Sequence, residues 1–530
     1  MGKASAIDHS RVIALNYLDV EYLCVGIFAG VSLLLLFSSI SHRSLKPDTP
    51  HLNPKGRFEL TKTRAKKLFI SRSREMLGAW FSANPDKAVR LTTDVGEVTV
   101  LPPHLANEIR NDQRLSFAKW TFSAFHAHLP GFEGFREGSR DSDIVRTVLL
   151  KDLTKLLTKV TEPLAEETSL ALTLELTNEK VCRLITRVTS RVFLGPKLCR
   201  DEAWLKVARE SAITSMAAAE ELRMWPSPLR SIVHWFLPSC RRARAQVREA
   251  RRIIDPVLAA RRRRKQTKGK REGAAGERDG EEGQDGEKEP NDAIEWFDRT
   301  AGGNEYDPVT AQMLIAFVAI HTTADLVSQV LTDLAQHPEM IEPLREEVLA
   351  ELAHGGWRKA SLYNMKLMDS AIKESQRMKP ILLAFMRRMA LEDVRLSDGT
   401  LIPKDTVVAV SAHRMWDATL HEAPERWDGR RFLRMRRDEA PAPAETSGSN
   451  GSRDTEKPRQ PQLQHWAQLV TTSPDHLGFG HGHNACPGRF FAANEIKVML
   501  AHLLLKSRAQ DGVPASGGQA SMLFMTDGLG

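Results

Sequence analysis

The residues best equipped for chemistry sit in one short run: Phe479-Gly480-His481-Gly482-His483-Asn484-Ala485-Cys486-Pro487-Gly488-Arg489. Three glycines surround one cysteine, and an amphipathic stretch, RFFAANEIKVMLAHLLLK, begins at Arg489. Glycine reaches backbone conformations closed to other residues and lets the chain approach a ligand closely. A cysteine just ahead of a helix N-terminus meets free N–H groups and the positive end of the dipole, which favour a thiolate. The pattern predicts a loop presenting one sulfur anion to something flat and close. Three chemistries compete for that sulfur. One is a buried structural thiol. The second is zinc held with His481 and His483, which lacks a fourth ligand and paired C-x-x-C spacing. The third is haem iron held by a single axial thiolate.

Two further patterns carry polar groups at helical spacing. Glu374-Ser375-Gln376-Arg377 places a carboxylate and a guanidinium at i and i+3, on one face of a helix, where they can pair. Val318-Ala319-Ile320-His321-Thr322-Thr323 puts two hydroxyls inside an apolar run. A helical threonine hydroxyl ordinarily bonds the carbonyl one turn back.

Apolar spacing predicts the elements that must hold these groups. A long helix covers about 308–336 and stops at His337-Pro338; another covers about 361–379, and a last one starts near Arg489. From 144 to 260 the pattern is mostly helical. Residues 88–103 alternate around Asp94-Val95-Gly96 as two short strands, and 391–412 alternate around Ser397-Asp398-Gly399 as a hairpin. Two insertions lack large apolar residues or are rich in Pro, Ser, Glu and Gly, and read as disordered: about 261–290 and 439–462. The first opens with the basic run RRRRKQTKGKR, which an acidic block follows.

Tyr22–Ile40 is nineteen residues without a charge, long enough to span a hydrocarbon core of about 30 Å. Basic residues crowd its C-terminal side (Arg43, Lys46, Lys55, Arg57 and Lys62 among them), so the positive-inside rule places the chain after residue 41 in the cytosol. The expected organisation is a lumenal N-terminus at 1–21, a retained single-pass anchor at 22–40, a proline-containing linker at 41–59 and one large domain from 60 to 530.

The 530 residues, 42% of them hydrophobic, suffice for a large core and exclude general disorder. Five cysteines without repeated spacing exclude a disulfide scaffold. The net charge of +8 is modest, and no nucleic-acid partner is expected, because the basic run lies beside its own acidic counter-block.

With these residues in view, Phe-Gly-x-Gly-x-x-x-Cys-x-Gly resembles the haem-ligand loop of the cytochrome P450 monooxygenases. The surrounding sequence resembles fungal members of the endoplasmic reticulum that oxidise secondary metabolites, such as ent-kaurene-oxidase-like enzymes. The resemblance implies a mainly α-helical P450 fold with small β-sheets behind a single transmembrane helix. It implies haem b with Cys486 as axial ligand, cradled by Phe479, Gly480, Gly482, Asn484 and Gly488. Arg387 or Arg388 would meet a haem propionate, and Arg146 is a further candidate. Ala319 would leave room above the iron, and Thr322 with His321 would manage protons. Pro424-Glu425-Arg426-Trp427 resembles the segment whose arginine joins the Glu374–Arg377 pair in a buried network. Phe117, Phe122, Phe125, Leu382, Phe385 and Phe524 would line an apolar substrate pocket.

The implied partners are dioxygen, an apolar small molecule, membrane lipid and an NADPH-cytochrome P450 reductase, with Arg434, Arg436, Arg437 and Lys497 as basic residues able to steer the latter. The expected activity is hydroxylation or oxidation of an apolar secondary metabolite, a terpenoid or terpenoid–alkaloid. Two alternatives stand beside it: a P450-fold isomerase or dehydratase that does not use dioxygen, and a degenerate, non-catalytic, membrane-tethered protein.

Overall fold

The computed structural model describes residues 49–56, 59, 62–140, 143–174, 178–274, 291–437 and 466–511. The stretch 22–40, the second insertion and Phe524 lie outside these residues. Helices dominate, and short strands gather at one side.

The order begins with α1 (Thr63–Ala83) and the hairpin β1 (Val89–Thr93) and β2 (Gly96–Leu101). After β3 (Leu115–Ser116) come α2 (Phe117–Ala124), α3 (Glu133–Glu137), α4 (Ile144–Thr147), α5 (Thr154–Leu174), α6 (Asn178–Leu198) and α7 (Glu202–Arg223). Short α8 (Ser227–Val233) leads to long α9 (Pro238–Ala274), then α10 (Ala293–Ala301), α11 (Pro308–Gln336), α12 (Ile341–Gly355), α13 (Lys359–Asn364) and α14 (Lys366–Met378). The strands β4 (Ala384–Ala390), β5 (Val394–Arg395), β6 (Leu401–Ile402) and β7 (Val407–Ser411) come next, with α15 (Arg431–Arg437) and α16 (Arg489–Asp511) last.

The main sheet runs β1-β2-β7-β4-β3, antiparallel except where β2 meets β7, and β5 pairs with β6 as the expected hairpin. The helical core forms around α11. The Asp307 carboxylate starts this helix by accepting from the amides of Val309 (3.1 Å) and Thr310 (3.4 Å), and Pro308 takes the first helical position. It ends at His337-Pro338, since proline cannot extend the ladder. Helices α6 and α7 pack on its sides, and α16 packs on it and on α5. Among the described helices α11 alone is long and apolar enough to cross a membrane, but its Ile315, Ile320, Val327 and Val330 are buried in the helical core.

The first insertion needs correcting. Helix α9 continues through the basic run to Ala274 rather than giving way to a loop at 261. Ion pairs hold it against α10: Arg261 meets Asp292 at 2.5 Å, and Lys265 meets Glu295 at 2.7 Å. Four-residue spacing puts both cations on one helical face.

Candidate active site

Two glycines give the cysteine loop its shape. Gly480 and Gly482 have φ of +71° and +77°, a region that side chains avoid. The Gly480 amide donates to Leu477 O (2.7 Å), Ala485 N to Gly482 O (3.0 Å) and Cys486 N to Phe479 O (2.8 Å). A Cβ on Gly482 would lie 2.4 Å from Arg110 Cβ, so the loop packs directly onto the short helix Ala106–Ile109 and the residues after it. His481 faces the same neighbours, with Nε2 3.0 Å from Asn107 Oδ1 and Nδ1 3.4 Å from Thr472 Oγ1. The His483 amide donates to Asn111 Oδ1 (2.9 Å), and its carbonyl accepts from Arg146 Nη2 (2.9 Å). Arg489 closes the loop by donating to Cys486 O (2.9 Å) and Val470 O (3.1 Å). These partners leave His481 no part in a zinc site. Among the described residues no three of His, Cys, Asp and Glu come together to hold a metal.

Cys486 is half-buried, yet burial pushes its thiol up; the amides of Gly488 and Arg489, aimed at the sulfur, pull it the other way. Densely surrounded as it is, the Cys486 side chain still keeps some accessible surface. Helix α11 has an open face too. Val318 is 42% exposed and Thr322 is exposed one turn later, although Ile315, Ala316, Ile320, Thr323 and Ala324 are buried. Val318 and Thr322, one turn apart, therefore leave room beside the middle of a helix that is otherwise buried. Thr322 Oγ1 donates to Val318 O (2.7 Å), which leaves its lone pairs free to accept.

Strand β4 brings in two arginines by an irregularity. Between the pairs Phe385↔Val410 and Arg388↔Val408 it has one residue more than β7, and Met386 there takes φ +56°. Such a bulge re-aims side chains, and here both Arg387 and Arg388 are buried. Arg387 has Asp94 at 3.6 Å. Arg388 is 2% exposed and has no carboxylate beside it among the described residues. Its Nη1 donates to Arg387 O (3.0 Å), its Nη2 has no partner among them, and burial pushes it down to about 10. The Nε atoms of Arg146 and Arg387 are also buried without a partner, but Arg146 meets Asp143 at 3.1 Å, so among the described residues Arg388 alone of the three has no carboxylate beside it. A buried cation without an anion is costly. Together, the thiol, the open helix face and the unpaired guanidinium nitrogens suit a flat iron porphyrin carrying two carboxylates.

Behind the loop, α14 organises the chain through charges. Glu374 accepts from Arg377 (Nε and Nη2, both 2.8 Å) and from Arg431 Nε (3.0 and 3.1 Å). The third member of the network is therefore Arg431, not Arg426. Arg426 is exposed and contributes only its carbonyl, which accepts from Arg431 Nη2 (3.0 Å). Asp369 pairs with Lys497 (2.7 Å) and Arg436 and accepts from Leu469 N (2.9 Å). This turns Lys497 and Arg436 inward, away from any partner protein. Buried Lys373 donates to Gln468 O (2.8 Å). One helix thus fixes the segment 466–471 that leads into the loop.

Two other expectations change. Phe385 does not line a pocket: it is buried in the sheet core with Leu101, Leu105 and Val408. His321 has its Nε2 2.8 Å from Arg209 O on α7, a partner on a neighbouring helix instead of a place beside the Thr322 hydroxyl. Of the remaining pocket residues, Phe125 stacks on Phe135 (4.3 Å between centroids) and meets Phe317 edge-on, while Phe117 lies under Arg388. Phe122 is half-buried, and Leu382 is exposed. Arg431, Asp369 and Lys373 escaped sequence reasoning because basic and acidic residues on a helix are usually solvated. For Arg431 the sequence signal was Phe432 directly after it, a large apolar side chain that is buried here.

A family model described as Cytochrome P450 matches residues 207–511. The cytochrome P450 monooxygenase hepE of Aspergillus oryzae is 46% identical over 478 residues, 88% of this chain and 81% of that protein. Cytochrome P450 monooxygenase TRI1 of Fusarium sporotrichioides is 42% identical over 473 residues, covering 87% and 80%. Dihydromonacolin L monooxygenase LovA of Aspergillus terreus is 39% identical over 490 residues, covering 90% and 85%.

Proposed function

The chain belongs to the cytochrome P450 family as a monooxygenase of the fungal secondary-metabolism kind, and from that premise we propose that Cys486 is the residue that would hold the iron of haem b through its sulfur. The observation that carries this reading is the sulfur itself: closely surrounded, faced by two amides, and still accessible. When bound, haem supplies dioxygen activation and C–H oxidation, with a thiolate ligand favouring O–O cleavage.

This chain's own residues do the rest. The amides of Gly488 and Arg489 stabilise negative charge on Cys486 Sγ. Arg388, which has no carboxylate beside it among the described residues, would hold a propionate, with Arg387 and Arg146 as the further guanidinium candidates and Asn484 as a neutral donor. Thr322 Oγ1, its hydrogen given to Val318 O, would accept a hydrogen bond from a proton-bearing group and so hold that group at a defined position. Ala319 keeps space beside it. The Glu374–Arg377–Arg431 network holds the scaffold and does not touch the reaction.

The substrate is an apolar secondary metabolite, a terpenoid or terpenoid–alkaloid, which Phe125, Phe122 and Phe117 receive. Electrons come from an NADPH-cytochrome P450 reductase, with exposed Arg434 on the steering surface. The chain sits on the endoplasmic reticulum membrane through residues 22–40. Exposed Trp225, Ile232, Trp235 and Phe236 around α8 add an apolar surface that enters the lipid.

The test is the absorption spectrum of the reduced, carbon-monoxide-bound protein. A thiolate-type Soret band that Cys486→Ser abolishes supports the assignment, and a band that survives the substitution refutes it.

A further inference from the structure

The seam between α7 and α11 is incompletely packed. A cavity with about 30 Å³ open to the centres of water molecules lies there, lined by Ser211 and Ser215 of α7, Met313, Leu314 and Phe317 of α11, and Phe135 of α3. A gap on one side of a side chain forfeits dispersion contacts, so the seam is less tightly packed at Ser211 and Ser215 than one to two turns earlier, where Leu205, Val207 and Ala208 are buried in the core. On α11, residues 313, 317 and 321 recur every four positions and share one face. His321 therefore closes the seam that the cavity leaves loose, and it does so with a directed bond: its Nε2 lies 2.8 Å from Arg209 O. A carbonyl only accepts, so this ring nitrogen carries the hydrogen.

The next residue, Thr322, belongs to the open face with Val318. Any change in the spacing of α7 and α11 is thus felt one position away from the exposed hydroxyl. We propose that His321 is a positioning residue: its bond to the Arg209 carbonyl clamps α7 against α11 and sets how far the space beside Thr322 opens. This rests on reading that open face as the reaction site. It gives the histidine a mechanical role fixed by its partner, in place of one in proton delivery.

The experiment uses the full chain in its haem-loaded form, with two substitutions and two readouts that need no substrate. Hydrogen exchange measures the protection of the α7 amides between Leu205 and Met216. Flash photolysis of the reduced carbon-monoxide complex measures how quickly the gas returns to its site. His321→Leu keeps bulk and removes the donor; it is expected to lower protection in that segment about tenfold and to change the return rate at least about threefold. His321→Gln keeps an N–H donor of similar reach and is expected to stay within about twofold of the parent on both. Unchanged protection and unchanged return in His321→Leu would overturn the proposal, as would a glutamine variant as impaired as the leucine one. If the parent lacks a thiolate-type band, the reading of Cys486 fails instead, and amide exchange alone still decides the clamp.

Discussion

Glu374 and Arg431 lie 57 positions apart in the chain, and their side chains meet at 3.0 Å where water is excluded. The carboxylate already accepts two bonds from Arg377, so one anion serves two guanidiniums. Arg431 disperses its remaining charge onto the carbonyls of Ala423 (3.4 Å) and Arg426 (3.0 Å). Removing one member of such a buried set strands the others. Arg431→Ala is expected to cost about 3–5 kcal/mol, and Arg426→Ala, at an exposed side chain, no more than about 0.5 kcal/mol. Urea unfolding followed by tryptophan fluorescence separates the two. An Arg426→Ala midpoint as low as that of Arg431→Ala contradicts the geometry.

That pair also shows where sequence reasoning stopped. Glu374 and Arg377 were legible because helical spacing dictates their contact. Arg431 was not, since the turn between Arg426 and Arg431, five positions on at the start of α15, decides which of several arginines faces inward. The same limit applies to β4: its spacing offers Arg387 and Arg388, and only the bulge at Met386 buries both. Lys497 read as surface charge because the sequence of α16 suggests an amphipathic helix, yet Glu495 through Ala501 are all buried and Asp369 of α14 pairs with Lys497 inside. The bounds of α11 were legible from its apolar period, and the left-handed turns of the cysteine loop from its glycines. What His321 touches was not, because its partner is a backbone carbonyl 112 positions earlier.

Arg388 offers a test in which stability and ligand binding move in opposite directions. In the haem-free protein its buried charge has no anion nearby among the described residues. Arg388→Leu is therefore expected to leave the haem-free protein equally stable or to stabilise it by about 1 kcal/mol. The same change removes a partner for a propionate, so haem should dissociate at least about tenfold faster, a loss of about 1.4 kcal/mol of binding. Transfer of haem to an excess of an apoglobin measures the rate. Faster dissociation from Arg387→Leu than from Arg388→Leu would assign the propionate to the other arginine.

Glu495 predicts a pH dependence. It is fully buried on α16, accepts from Thr189 Oγ1 (2.6 Å) through one oxygen, and has no partner for the other among the described residues. Burial pushes its carboxyl up to about 8, with the Thr189 bond opposing. The folded protein therefore keeps a proton that the unfolded chain releases near 4.5. This contribution is complete below that value and is lost as pH rises through about 8, at no more than about 1.4 kcal/mol per pH unit. Glu495→Gln keeps the carbonyl acceptor for Thr189 and removes the titration. The difference in unfolding free energy between parent and variant should therefore grow in the variant's favour from pH 5 to pH 8. A constant difference across that range rules the mechanism out.

The two glycines of the cysteine loop have nearly the same φ and should respond very differently to alanine. At Gly480 a new Cβ has its nearest neighbour at 3.6 Å, so Gly480→Ala carries only the cost of a side chain at φ +71°, about 1–2 kcal/mol. At Gly482 the same conformational cost applies, and the methyl falls 2.4 Å from Arg110 Cβ and 2.9 Å from Arg110 O. Neither atom is the free end of a flexible chain, so the backbone must give way. The displaced segment is the one whose Asn107 and Asn111 hold His481 and the His483 amide. Gly482→Ala should therefore lower both unfolding free energy and haem content beyond what Gly480→Ala does. Adding Arg110→Gly removes the Cβ but not the carbonyl, so it should restore part of the loss in Gly482→Ala and none in Gly480→Ala. A double-mutant cycle reads this coupling directly. Zero coupling between positions 110 and 482 would show that the loop does not rest on Arg110.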